Sequence, residues 1–189
     1  MKNKFIALLI VLIIVPVGYF TFKTLKTRYI IYDYFNQGRW ERLKMEYDKE
    51  KRIENSSVFF GNSMTENFGP YLSKYKHVKC MGISGDFSEG LIKRISNVIN
   101  YRPKNVFIMI GINDIIEKVP LSEIKANYIK IIELIENKCP ETNIYIQSTL
   151  PTVGLKSLLS SSEGINITVQ DLNKFLYKTT QEKNILFLD

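Results

Sequence analysis

The spacing of apolar positions changes character along the chain, and the changes divide it. From Phe5 to Phe22 the sequence is an apolar run, with Lys2 and Lys4 before it and Lys23, Lys26 and Arg28 after it. A helix of that run, at 1.5 Å per residue, is roughly 27 Å long, close to the hydrocarbon thickness of a bilayer. No small-x-small cleavage site follows, so residues 1–22 read as an uncleaved transmembrane signal anchor. Lysines on both flanks leave the orientation open, and the usual arrangement for such an anchor puts the following domain outside. Residues 23–55 are charged and tyrosine-rich. Ile30, Ile31, Tyr34 and Phe35 recur at helical spacing there, and Trp40, Leu43, Met45 and Tyr47 partly resume it past Gly38. This connector reads equally as a broken amphipathic helix at a membrane surface or as a solvated stalk.

Short β-rich runs alternate with helical patterns from Ser57 onward. Val58–Gly61, Val78–Met81, Val106–Ile110, Ile144–Gln147 and Ile185–Leu188 are predicted strands. Helical spacing covers Phe87–Asn100, Leu121–Asn137 and Val169–Glu182. Strand and helix in repetition require parallel pairing with right-handed crossovers. The fold class expected for residues 56–189 is therefore α/β, a three-layer α/β/α sandwich around a five-stranded doubly wound parallel sheet. Reactive groups in such a fold gather beyond the carboxyl ends of the strands.

Charge narrows the function classes. Residues 1–52 carry eleven Lys/Arg against five Asp/Glu, a net +6, while residues 53–189 carry fifteen against fourteen, a net +1. The excess of cations belongs to the N-terminal region, so the globular part has no basic stripe for nucleic acid. One histidine, His77, and two cysteines, Cys80 and Cys139, provide no metal-ligand pattern, and no cofactor is expected. The cysteines fall at opposite ends of the sheet and read as free thiols. Neither GxGxxG nor GxxxxGK[ST] occurs, which places a nucleotide-binding reading last.

Three segments at strand ends can carry chemistry. Ser63 follows the first strand in FFGNSMTE, Gly85 follows the second in GISGD, and Asn113 follows the third in IGIND. A serine in a strand-to-helix turn is a nucleophile candidate and also an ordinary cap. Gly85 suits an oxyanion donor through its N–H or a turn needing positive φ. Asn113 offers a side-chain amide or an Asx turn. Glu66, three residues after Ser63, has the spacing of a capping box. Asp86, Asp114 and Glu66 lie near the expected site, but ordinary carboxylates are too acidic to be efficient bases.

Together these segments resemble the SGNH hydrolases, the GDSL-type lipases and esterases, from about Val58 to Asp189. FFGNSMTE is similar to the first family block with Asn62 in place of aspartate, MGISGDFSEGLIKRI to the second, and NVFIMIGINDI to the third. The resemblance implies Ser63 as nucleophile, with the Ser63 and Gly85 N–H groups and the Asn113 side chain as oxyanion donors. It also implies a base from a DxxH block after the fifth strand, and the chain reaches only Asp189 at the end of that strand. His77 precedes the second strand, roughly 15 Å from Gly85 along it at about 3.3 Å per residue, too far to serve Ser63. The expectation is a membrane-anchored ester hydrolase acting on an acyl or acetyl ester of lipid, glycan or small molecule, in a chain cut off before its last block. The alternative is a non-catalytic binding module for acylated ligands.

Overall fold

In this computed structural model the described residues are 2–153, 156–157 and 160–189, with side chains described for 13–153 and 162–189. Helix α1 spans Lys2–Asn36, and α2 spans Gly38–Asp48 after an extended Gln37 with ψ 120°. The repeating part follows as β1 (Ser57–Gly61), α3 (Ser63–Leu72), β2 (Val78–Gly82), α4 (Ser88–Lys93), α5 (Ser96–Tyr101) and β3 (Asn105–Met109). It continues with α6 (Ile112–Ile116), α7 (Leu121–Lys138), β4 (Asn143–Gln147), the two-residue antiparallel pair β5 (Lys156–Ser157) and β6 (Ser160–Ser161), α8 (Ser162–Lys183) and β7 (Leu186–Leu188).

The five long-range strands form one parallel sheet in the order β2-β1-β3-β4-β7. This is the doubly wound order with its reversal between β1 and β3, as the alternation of patterns predicts. The crossover from β1 to β2 runs opposite to the later ones, so right-handed connection sends α3 to one face and the later helices to the other. Val58, Phe60, Val106, Ile108 and Ile146 point to the second face and are fully buried. On the α3 face Phe59, Phe107 and Tyr145 stack in a row, with centroids 4.7 and 4.5 Å apart. Phe68 of α3 meets Phe59 edge-on, whereas Leu186, in register with Tyr145, is 61% exposed.

Two expectations change. The helix predicted over Phe87–Asn100 is two helices, because Arg94 leaves helical geometry (φ −115°, ψ 24°) with its side chain fully buried. The expected membrane-spanning helix is not found: among the described residues no helix is long and apolar enough to cross a membrane. Side chains 1–12 of that segment lie outside those described. The described remainder of α1 carries Lys23, Lys26, Arg28 and Asp33, and its final turns pack on the domain.

That packing joins the N-terminal arm to the sheet. Ile31 and Trp40 are 4% exposed, and Phe35 makes edge contacts with both Trp40 and Phe87. Thr27 donates to the Glu117 carbonyl at 2.9 Å, and Arg28 pairs with Glu123 and Glu89. From α2, the Tyr47 hydroxyl donates to the Gly82 carbonyl at 2.8 Å, while Asn97 of α5 donates to Asp48 at 2.9 Å. The arm thus reaches the carboxyl end of the sheet at several points.

Candidate active site

Ser63, Gly85 and Asn113 all lie beyond carboxyl ends of strands, after β1, β2 and β3. Ser63 is the first residue of α3 and half-buried. Asn62, not Ser63, caps the helix, its side chain accepting from the Met64 N–H at 3.1 Å. That leaves the Ser63 hydroxyl free of capping duty, and no hydrogen bond joins it to any described residue. Gly61 makes the turn possible: a side chain there would collide with the Met109 carbonyl and the Thr65 hydroxyl. The close approach of β1, β3 and α3 therefore demands glycine two residues before Ser63.

The capping box expected at Glu66 does not form. Its carboxylate instead accepts from the Ser84 N–H at 2.6 Å and pairs with Arg39 of α2. Partial burial pushes the Glu66 carboxyl up, but the bonds from Ser84 and the Arg39 charge outweigh it and hold it below the ordinary carboxylate value. Glu66 thus ties the loop carrying Gly85 to the helix carrying Ser63.

Gly85 adopts φ +83°, and a Cβ there would lie 2.9 Å from the Tyr34 ring of α1. Both the backbone and the close aromatic require glycine, independently of any reaction. Its N–H meets no acceptor among the described residues. Asn113 donates from Nδ2 to the Asp86 carbonyl at 2.8 Å. An amide carries two N–H groups, so one remains for another acceptor. The Ser63 N–H also lacks an acceptor among the described residues, having no preceding helical turn. Gly85 and Asn113 line one cleft of about 300 Å3, walled on its other side by α1.

Asp86 is not a free base but the hub of the site. Its Oδ2 accepts from Arg94 Nε at 2.7 Å, and its Oδ1 accepts from the Trp40 indole at 3.1 Å and the Phe87 N–H at 3.0 Å. Arg94 also donates to the Met81 and Gly61 carbonyls, each at 2.8 Å, and lies 4.4 Å over the Phe60 ring. One buried ion pair thereby fixes the ends of β1 and β2, while the Asp86 carbonyl fixes the Asn113 loop. Burial raises the Asp86 carboxyl above its ordinary value, with Arg94, the indole and the Phe87 N–H pulling the other way.

Asp114 is also buried and turned to Ser88, whose hydroxyl donates at 2.6 Å and whose N–H lies 3.0 Å from Oδ2. Burial pushes its pKa up to about 6. With its acceptors engaged at Ser88, Asp114 is part of the scaffold beneath the site. His77 is exposed in the turn before β2, its carbonyl accepting from the Ser57 N–H at 2.8 Å, at the end of the sheet opposite the three segments. Cys80 and Cys139 are free thiols, as their positions on the sheet predict.

Ser63 thus stands at a helix start beyond β1, with its hydroxyl and N–H unpaired among the described residues, while Gly85 and Asn113 line the cleft; Ser63 is not among the residues lining it. The profile of a GDSL-like lipase/acylhydrolase family matches residues 59–189. The chain belongs to that family. No curated protein matches it. Among solved structures, a GDSL-like lipase from Bacteroides thetaiotaomicron shares 23% identity and a TM-score of 0.67, over 78% of this chain and 76% of that one. A catalytic mutant of an acetylxylan esterase from Geobacillus stearothermophilus shares 22% identity and a TM-score of 0.58, over 75% and 78%. At such identities these structures establish the common fold.

Sequence reasoning missed Arg94, Trp40 and Tyr34 as parts of this site. Arg94 lies in an amphipathic helical pattern where an arginine reads as exposed, and nothing local marks its burial. Trp40 offered a signal, since an indole amid charged residues needs both an apolar contact and a polar partner.

Proposed function

We propose that this GDSL-family chain is a serine ester hydrolase whose nucleophile is Ser63. The Ser63 N–H, Gly85 N–H and free Asn113 amide proton are its oxyanion donors. The single observation that carries this reading is the hydroxyl left without a partner among the described residues while Asn62 takes the capping. Ser63 lies one residue past the capping position that Asn62 fills, so its hydroxyl has no structural duty at the helix start. In the reaction, Ser63 Oγ attacks the ester carbonyl, the carbonyl oxygen takes up negative charge among the three donors, and collapse expels the alcohol. Water then hydrolyses the acyl-enzyme.

Attack requires a base to take the hydroxyl proton. None of the described residues bonds the Ser63 hydroxyl, and the nearby carboxylates are engaged at Arg94, Ser88, Ser84 and Arg39. The acetylxylan esterase's catalytic mutants replace a serine, an aspartate and a histidine of that protein. The expected DxxH pair would enter this site from beyond β7. In enzymes whose nucleophile has no base, oxyanion stabilisation alone sustains about 10³-fold over water. Hydrolysis of p-nitrophenyl acetate by this chain should therefore be slow but above the blank; a chain carrying a DxxH block beyond β7 should be faster, and Ser63→Ala in it should remove that gain. An unchanged rate in that variant would remove Ser63 from the mechanism.

The Ser63 hydroxyl, bonded to no base among the described residues, also favours a second reading, a module that binds acylated ligands without cleaving them. An acetyl ester bound reversibly, with no turnover above the blank, would establish it in place of hydrolysis.

For location, we propose that the apolar run Phe5–Phe22 holds the domain to a membrane on its outer side. The support is the flanking lysines and the bare side chains of Ile13, Val15, Val17 and Phe20, each at least 60% exposed. Full-length chain resistant to carbonate extraction from membranes would agree, and release into the supernatant would not.

A further inference from the structure

The cleft beside the oxyanion donors is built largely by a segment outside the family match. Its floor carries Gly85 and Asn113, and its opposite wall carries Tyr29, Asp33 and Gln37 of α1, with Glu117 at the side. The match begins at residue 59, so this wall belongs to the N-terminal arm alone. The arm is also held in place, by Tyr34 Oη donating to the Ser84 carbonyl at 3.1 Å and by Thr27 donating to that of Glu117.

The lining has a consistent chemistry. Tyr29 presents an aromatic ring that is 67% exposed at the cleft. Asp33 and Gln37, one turn apart, meet only at 3.5 Å, so their remaining oxygen lone pairs face no strong donor. Glu117 adds a second acidic residue, and among the described residues no lysine or arginine lines the cleft. Arg28 is committed to Glu123 and Glu89, and Arg39 to Glu66. Hydrogen-bond acceptors beside an aromatic face fit a ligand rich in hydroxyl donors with an apolar ring face. Two carboxylates with no cation repel a phosphate. A volume of about 300 Å3 lies at the low end of small-molecule sites and matches a single sugar ring better than a long acyl chain held along its length.

We propose that the ligand seated between α1 and the Gly85 and Asn113 loops is a neutral sugar, the alcohol part of a short-chain acyl ester, selected over phospholipid by Tyr29, Asp33, Gln37 and Glu117. This rests on the esterase reading for the placement of the ester carbonyl. The arm is then a specificity wall added to the family's sheet.

The test is ligand-observed NMR on the full chain carrying Ser63→Ala, which prevents turnover. The probes are methyl 6-O-acetyl-glucopyranoside and dihexanoyl phosphatidylcholine below its micelle concentration. The sugar ester should bind and the phospholipid should not. Tyr29→Ala and Asp33→Lys, both at exposed positions, should each weaken the sugar ester at least about tenfold by the loss of one aromatic or hydrogen-bonding contact. Tyr75→Ala, in the turn after α3, should leave binding unchanged. Absent sugar binding, equal or better phospholipid binding, or indifference to both α1 variants would overturn the proposal. Failure of a fluorophosphonate to label wild-type Ser63 would count against the hydrolase reading, while sugar binding lost on the α1 variants would still stand.

Discussion

Asp86 and Asp114 are adjacent in function but opposite in electrostatic consequence. Asp86 is buried with a guanidinium, whereas Asp114 is buried against Ser88 with no cation among its partners. With its pKa raised to about 6 from an ordinary 3.8, Asp114 binds its proton more tightly folded than unfolded. Its contribution to stability is therefore full below about pH 4 and declines as pH rises to about 6, reaching a cost on the order of 2–3 kcal/mol at neutrality. Asp114→Asn keeps an acceptor for Ser88 without the charge. Urea unfolding should find the variant near wild type at pH 4 and more stable at pH 7; a constant difference across that range would contradict the assignment.

The same residue scale shows what a sequence can reveal about a site. The places of Ser63, Gly85 and Asn113 at strand ends were legible because each follows an apolar run, with a nearby glycine marking a turn. The roles of Asp86, Glu66 and Arg94 were not, because each is decided by a partner 8 to 27 residues away through contacts that leave no periodicity. Gly85 carries a mixed message, since its positive φ and the Tyr34 ring already require glycine. Its identity alone could not distinguish a donor from a turn.

Among the elements, the strands were the most readable and the N-terminal arm the least. All five sheet strands lie within a residue or two of their expected limits, because buried parallel strands read as short apolar runs bounded by polar turns. The break between α4 and α5 escaped notice, since Leu91, Ile95 and Val98 keep a helical spacing across it. In the arm, the helical period at Ile30–Phe35 was visible, but not the surface it covers. Trp40 now gives that surface a measure. Trp40→Phe should retain much of the packing on Phe35 and remove the indole donor from buried Asp86. The expected loss is about 1–3 kcal/mol in urea unfolding, the cost of a buried charged acceptor deprived of a partner. A change within about 0.5 kcal/mol would mean that the arm does not support the hub.

For the whole molecule, the sheet order places the β1 and β3 loops on either side of the switch point, where a doubly wound sheet opens a crevice. The α3 helix starts at that crevice, the Asp86–Arg94 pair fixes the loops around it, and α1 closes one side. The uneven cover of the sheet, with Phe107, Tyr145 and Leu186 beyond α3, was not foreseeable from strand patterns alone. The central claim is that all this positions Ser63 as a nucleophile. Treating the full chain with a fluorophosphonate and mapping the adduct by peptide mass spectrometry tests it most directly. The adduct should fall on Ser63, forming more slowly than on a serine whose base is bonded to it, and disappear in Ser63→Ala; an adduct on another residue, or none on Ser63 after prolonged exposure of the folded chain, would contradict it.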